Sequence, residues 1–68
     1  MSTETYTVTG MTCDHCSRSV SAEVSAVADV TAVDVDLPTG KVTVTSEQPV
    51  STGTIREAVE EAGYTLAA

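Results

Sequence analysis

The chain has 68 residues, of which 41% are hydrophobic, with two Tyr, no Trp and no Phe, and its ten acidic and three basic residues give a formal net charge of -7. A length of this order holds one domain, residues 1–68, with a thin core of Val, Ala, Leu and Ile set against an ordering cost on the order of 100 kcal/mol. A second lobe enclosing a deep substrate cleft is excluded, which disfavours most enzyme classes and points to a protein that is not an enzyme. The negative charge repels nucleic-acid phosphates and anionic membranes. Its ordinary meaning is a solvated, self-repelling surface; its functional meaning is a partner with a basic docking patch. Met1-Ser2-Thr3-Glu4-Thr5 has no basic or hydrophobic segment, and no apolar run approaches the ~18 residues of a membrane span. A cytoplasmic protein with reduced thiols is the expectation, with no direct membrane insertion.

Residues 4–9 predict a strand, with Tyr6 and Val8 alternating with Thr5, Thr7 and Thr9, and Gly10 ends it. Residues 10–16 form a loop. A helix is predicted from about residue 15 to 27, because Val20, Val24 and Val27 recur at helical spacing in phase with Cys16. Residues 31–37 are a second strand, with Val33, Val35 and Leu37 on one face and Asp34 and Asp36 on the other. Pro38-Thr39-Gly40 is a turn, and residues 41–46 return as a hairpin partner with Val42 and Val44 inward. Gln48-Pro49 breaks the chain. Ser51 is an N-cap for a helix over 52–62, Val50 and Ile55 stand at the positions of a hydrophobic staple, and Gly63 suits the residue after the helix. Tyr64-Thr65-Leu66 is a short last strand. The order βαββαβ predicts a ferredoxin-like α+β open-faced sandwich: a four-stranded antiparallel sheet with both helices on one face and threonines on the other.

The chemistry is confined to one loop. Cys13 and Cys16, the two cysteines of the chain, form Cys-x-x-Cys. Three readings compete: a disulfide staple, a redox pair and a metal chelate. A staple closing four residues removes little unfolded-state entropy, and a reducing compartment opposes it. Thioredoxin-like redox motifs share the strand–motif–helix position, but belong to longer folds, and this chain lacks their Trp-Cys lead-in and the Pro that flanks the thiols. Zinc takes four ligands, whereas Asp14 and His15 sit inside the chelate loop, where both can hardly turn inward. Two thiolates without further soft ligands suit a soft ion of low coordination number, and Cu(I) fits best. Metal binding ranks above redox exchange, and both stay open at this point.

Gly10-Met11-Thr12-Cys13-Asp14-His15-Cys16 resembles the Gly-Met-Thr-Cys-x-x-Cys signature of heavy-metal-associated domains, in sequence and in its place between first strand and first helix. The length, the βαββαβ order and Gly63-Tyr64 before the last strand match as well. As a single domain the chain is similar to the small cytosolic copper chaperones of bacteria. The resemblance implies that Cys13 and Cys16 bind Cu(I) and that the cargo passes to a copper-transporting P-type ATPase, with a copper-sensing regulator as another acceptor. The core lacks the Phe of many relatives. Tyr64 stands where eukaryotic relatives carry Lys, which points to the bacterial branch. Relatives selective for zinc place an acid just before the first Cys, where this chain has Thr12.

Three further residues flank the thiols. Met11 resembles a soft ligand, but Met commonly fills irregular gaps, and a core anchor under the loop is the favoured reading. His15 is either a tuner of the thiolates or a solvated loop residue. Tyr64 is a core ring, a shield over the loop, or both, because Tyr is amphipathic. Cys16 near a helix start is favoured as a thiolate by the backbone N–H groups there, with Arg18 near in sequence. The expected function is a copper chaperone acting by thiolate exchange. The alternatives are a dithiol–disulfide oxidoreductase and a binding module for mercury or zinc. A monomer is expected without metal and a copper-bridged homodimer at excess copper.

Overall fold

The computed structural model describes residues 1–67. The elements run β1 (Ser2–Thr9), α1 (Asp14–Ser25), β2 (Val30–Asp36), β3 (Lys41–Ser46), α2 (Thr52–Glu61) and β4 (Thr65–Leu66), the predicted βαββαβ order. The sequence-based limits differ by one or two residues at most ends. The first strand begins at Ser2 because its backbone continues to pair with β3, Ser2 lying opposite Ser46. The first helix stops at Ser25, and Val27 packs against the core from beyond its end.

The sheet order is β2-β3-β1-β4, and every pairing is antiparallel. Side chains alternate across a strand, so one face collects Tyr6, Val8, Val42 and Val44, all buried. The opposite face carries the threonines: Thr5 stands opposite Thr43 in the register, their hydroxyl oxygens 3.4 Å apart. Ser46 falls on the inward phase of β3 and is buried. Its hydroxyl donates to the Gln48 carbonyl at 2.6 Å, which satisfies this buried polar side chain.

Both helices cover the inward face. Val20 and Val24 of α1 and Ile55 and Val59 of α2 are fully buried, one helical turn apart on each helix. Six of the ten core residues are Val, a short and stiff side chain. Each buried aliphatic side chain stabilises the fold by about 1.5–3 kcal/mol, which is how a core without Phe or Trp suffices. The Ser51 hydroxyl accepts the Thr54 N–H at 3.2 Å, the predicted N-cap, and Val50 packs on the core as the staple requires. The β2–β3 turn is pinned to β1 at Gly40, whose carbonyl accepts the Val8 N–H at 2.8 Å. Gly40 has φ +73, and a Cβ there would stand 2.6 Å from the Val8 carbonyl oxygen, so only glycine fits.

Candidate metal centre

The sheet register builds the site. Val8 pairs with Leu66 and Thr9 with Thr65, so the next position along each strand sets Gly10 against Tyr64. Gly10 has φ +96, and a Cβ at this position would meet Tyr64 Cδ1 at 3.3 Å. Glycine therefore admits the Tyr64 ring against the loop backbone. From the other side Tyr64 is held by the end of α2. The Gly63 N–H donates to the Glu60 carbonyl at 2.9 Å and the Tyr64 N–H to the Val59 carbonyl at 3.1 Å, the bond pair of a Schellman turn with Gly63 at φ +93.

The loop leads directly into α1. Cys13 is the N-cap residue in extended conformation (φ -157, ψ 171), and its side chain makes no capping bond. Its carbonyl accepts the Ser17 N–H at 3.2 Å. Asp14 and His15 open the helix, and Cys16 completes its first turn. Helical geometry thus swings Cys16 back toward Cys13: the Sγ atoms are 3.4 Å apart. Both are free thiols; Cys13 is exposed and Cys16 half-buried.

The surroundings favour the Cys16 thiolate. Its pKa is lowered from 9.0 to about 6, first by a backbone hydrogen bond at Thr12, then by hydrogen bonds from the Tyr64 and Cys13 side chains. The Thr12 hydroxyl lies 4.0 Å from the same sulfur. The reciprocal effect appears on Tyr64, whose phenol pKa is raised chiefly by its hydrogen bond to Cys16. Arg18, near Cys16 in sequence, is not among the groups acting on it; the thiolate is supported by hydrogen bonding to uncharged groups.

Of the residues singled out in the sequence, the structure brings Cys13, Cys16 and Tyr64 together. Met11 is half-buried and packs against the core cluster, as an anchor does. His15 and Asp14 are both exposed. Among the described residues no group of three or more His, Cys, Asp or Glu converges as a metal cage. Two positions carry more than the sequence reading gave them. Thr12 acts on Cys16 through its backbone, which no side-chain pattern signals. Gly10 is the platform for Tyr64; a glycine between a strand and the motif was the available sign.

The paired thiols thus stand at the first strand-to-helix junction of a ferredoxin-like sandwich, one sulfur on the exposed loop and one on the first helical turn. The heavy-metal-associated domain profile matches residues 5–65. The copper chaperone CopZ of Bacillus subtilis (strain 168) is 40% identical over 68 residues, covering 98% of this chain and 99% of that one. A solved CopZ metallochaperone superposes with a TM-score of 0.90 at 33% identity, over 97% of this chain and all of that one. A copper-binding domain from HMA7, a P-type ATPase, gives 0.88 at 34% identity, over 100% and 96%. The chain belongs to the heavy-metal-associated domain family.

Proposed function

We propose that this protein is a copper chaperone that carries one Cu(I) between Cys13 and Cys16 and hands it on by thiolate exchange. The observation that carries the reading is the isolated pair of free thiols 3.4 Å apart on an exposed loop, without a converging group of three or more His, Cys, Asp or Glu among the described residues. Two soft ligands and no hard ones select a soft ion that accepts low coordination, and disfavour zinc, which takes four. The relatives named copper chaperone agree with this choice.

Taking the zinc–thiolate length of about 2.3 Å as a guide, a linear S–metal–S unit needs sulfurs about 4.6 Å apart. Loading therefore widens the pair by about 1 Å, a motion available to Cys13 on its loop while Cys16 stays on the helix. In transfer, a partner thiolate attacks the bound ion and forms a third copper–sulfur bond. One of the original bonds then breaks, and the departing thiolate takes up a proton in place of the one the partner thiol released. Copper stays Cu(I) throughout, no free ion appears, and no catalytic residue is required. The acceptor is a copper-transporting P-type ATPase, or a copper sensor; the likeness to a P-type ATPase domain supports an acceptor with a matching loop. The exchange takes place in the cytoplasm, where thiols stay reduced. Among the described residues no helix is long and apolar enough to cross a membrane.

The test is an anaerobic Cu(I) titration against a competing chelator, repeated with Hg(II) and Zn(II). The expected result is tight 1:1 binding of Cu(I), abolished in Cys13→Ser and in Cys16→Ser with the circular dichroism spectrum unchanged. A single-Cys variant that keeps full affinity overturns the two-thiolate site, and a preference for another ion overturns the cargo.

A further inference from the structure

The strand order sets β2 at one margin of the sheet, and among the described residues its backbone pairs on the β3 side alone. The Asp36 carbonyl accepts the Gly40 N–H at 2.8 Å, so Asp36 turns its backbone groups into the β2–β3 hairpin. Backbone groups alternate sides along a strand. Those of Asp34 therefore also face β3, and those of Val33 and Val35 face away from it. The open edge thus presents the N–H and C=O groups of two residues. Upstream the ladder is interrupted by a register shift between Val30 and Ala32, where the Thr31 hydroxyl donates to the Thr45 carbonyl at 3.2 Å. The regular edge is residues 32–36. Its side chains fall into two sets. Val33 and Val35 lie in the inward phase, only half-buried although they pack against the core, and leave apolar surface at the margin. Asp34 and Asp36 lie in the outward phase and are exposed.

We propose that the β2 edge accepts an extended segment of a partner protein as a fifth, antiparallel strand, a segment in which apolar residues alternate with Lys or Arg. Antiparallel pairing is the more stable of the two ladders, and main-chain bonds at Val33 and Val35 hold the added strand. The apolar residues opposite these valines continue the inward face of the sheet and cover their exposed surface. The residue opposite Asp34 then falls in a non-hydrogen-bonded pair, where the strands approach to about 4.5 Å between Cα atoms, and a cation there meets the carboxylate. Charges on an edge strand ordinarily guard it against pairing. Here both are negative, so the guard is selective: it rejects acidic strands and admits cationic ones. A second copy of this chain is rejected. The register that pairs both valines sets Asp34 against Asp34 of the second copy, and a shift toward the turn sets Asp34 against Asp36. The opposite shift runs into the irregularity between Val30 and Ala32. β2 lies two strand spacings, about 10 Å, from β1, the strand that leads into the metal loop, so an occupied edge leaves the thiols free. Binding at this edge requires no metal.

The probe is a capped peptide of about seven residues in which Val alternates with Lys. Its binding to the apo protein is followed by backbone amide shifts and by amide hydrogen exchange. The expected result is saturable binding, with shifts centred on residues 32–36 and slowed exchange at the Val33 and Val35 N–H groups. Two N-methylated peptides separate a ladder from any other contact. Methylation of the Val nitrogens removes the donors that face β2 and lowers affinity at least about tenfold, whereas methylation of the Lys nitrogens, which face solvent, costs less than about twofold. Asp34→Asn weakens binding about two- to fivefold, and Glu57→Gln, which removes one charge from the exposed side of α2, leaves it unchanged at physiological ionic strength. No saturable binding up to about 1 mM peptide, equal loss in the two N-methylated peptides, or shifts centred on the helices overturns the proposal.

Discussion

Tyr64→Phe isolates a single hydroxyl. The ring still packs on Gly10 and the Schellman turn is untouched, so the fold remains; the group removed is the donor acting on Cys16. At pH 7 a thiol with a pKa of about 6 is about 90% thiolate, whereas at its ordinary 9.0 it is about 1%. The complete set of interactions around Cys16 thus raises the thiolate population about ninetyfold at neutral pH. The phenol is the second largest of the lowering causes, after the Thr12 backbone, so its loss moves the Cys16 titration upward without restoring the ordinary value. The assay is iodoacetamide alkylation against pH, with each cysteine followed by peptide mass spectrometry. The inflection has to be read, not a rate at one pH, because intrinsic thiolate reactivity rises with pKa and partly offsets a lost population. An inflection near 9 in the parent protein, or one that does not move in Tyr64→Phe, refutes the reasoning. The same shift links to folding. Between pH 6 and 9 the unfolded chain holds a proton that the folded chain has released, so Cys16 makes stability rise with pH through that window. The contribution is complete above 9 and lost as pH falls through about 6.

Met11→Leu conserves volume at a half-buried position and is expected to cost under ~1.5 kcal/mol in denaturant unfolding, with Cu(I) affinity nearly unchanged; a collapse of affinity at constant stability would make Met11 a ligand. Gly63→Ala imposes left-handed strain in open space, about 1–2 kcal/mol, and Gly40→Ala adds to the same strain a Cβ 2.6 Å from a backbone oxygen. Thermal melts should therefore rank Gly40→Ala as the more destabilised, at about 4–8 °C per kcal/mol, and the reverse order would contradict the packing of the turn on β1. For His15 and oligomeric state the expectation is a monomer without metal and a weak copper-bridged dimer at excess copper, with His15 at the contact between loops. Sedimentation across copper loadings should show the dimer weakened in His15→Ala; a loaded protein that stays monomeric removes that role.

Much of this molecule is local chemistry and was readable one segment at a time. The alternation of Val with Thr fixed which strand faces turn inward, the valine spacing fixed the buried side of α1, and Ser51 and Gly63 marked the ends of α2 by satisfying backbone groups within a few residues. Cys-x-x-Cys at a strand-to-helix junction places two sulfurs within one helical turn whatever surrounds them. The periodic pattern was weakest at element ends, where Val27 stays on the buried side although the helix has stopped. What the chain order could not supply is the environment of those sulfurs. Tyr64 is 48 residues from Cys16 and reaches it because β4 pairs beside β1, in a register that sets Tyr64 against Gly10. The lowered pKa of Cys16 depends on that pairing and on a backbone group of Thr12 that no side-chain pattern reports. The place of β2 at the margin of the sheet likewise follows from the strand order. Periodicity and caps act over a few residues and are written in the sequence. Strand order and helix packing bring distant groups to one point, and only the folded sheet decides which groups those are.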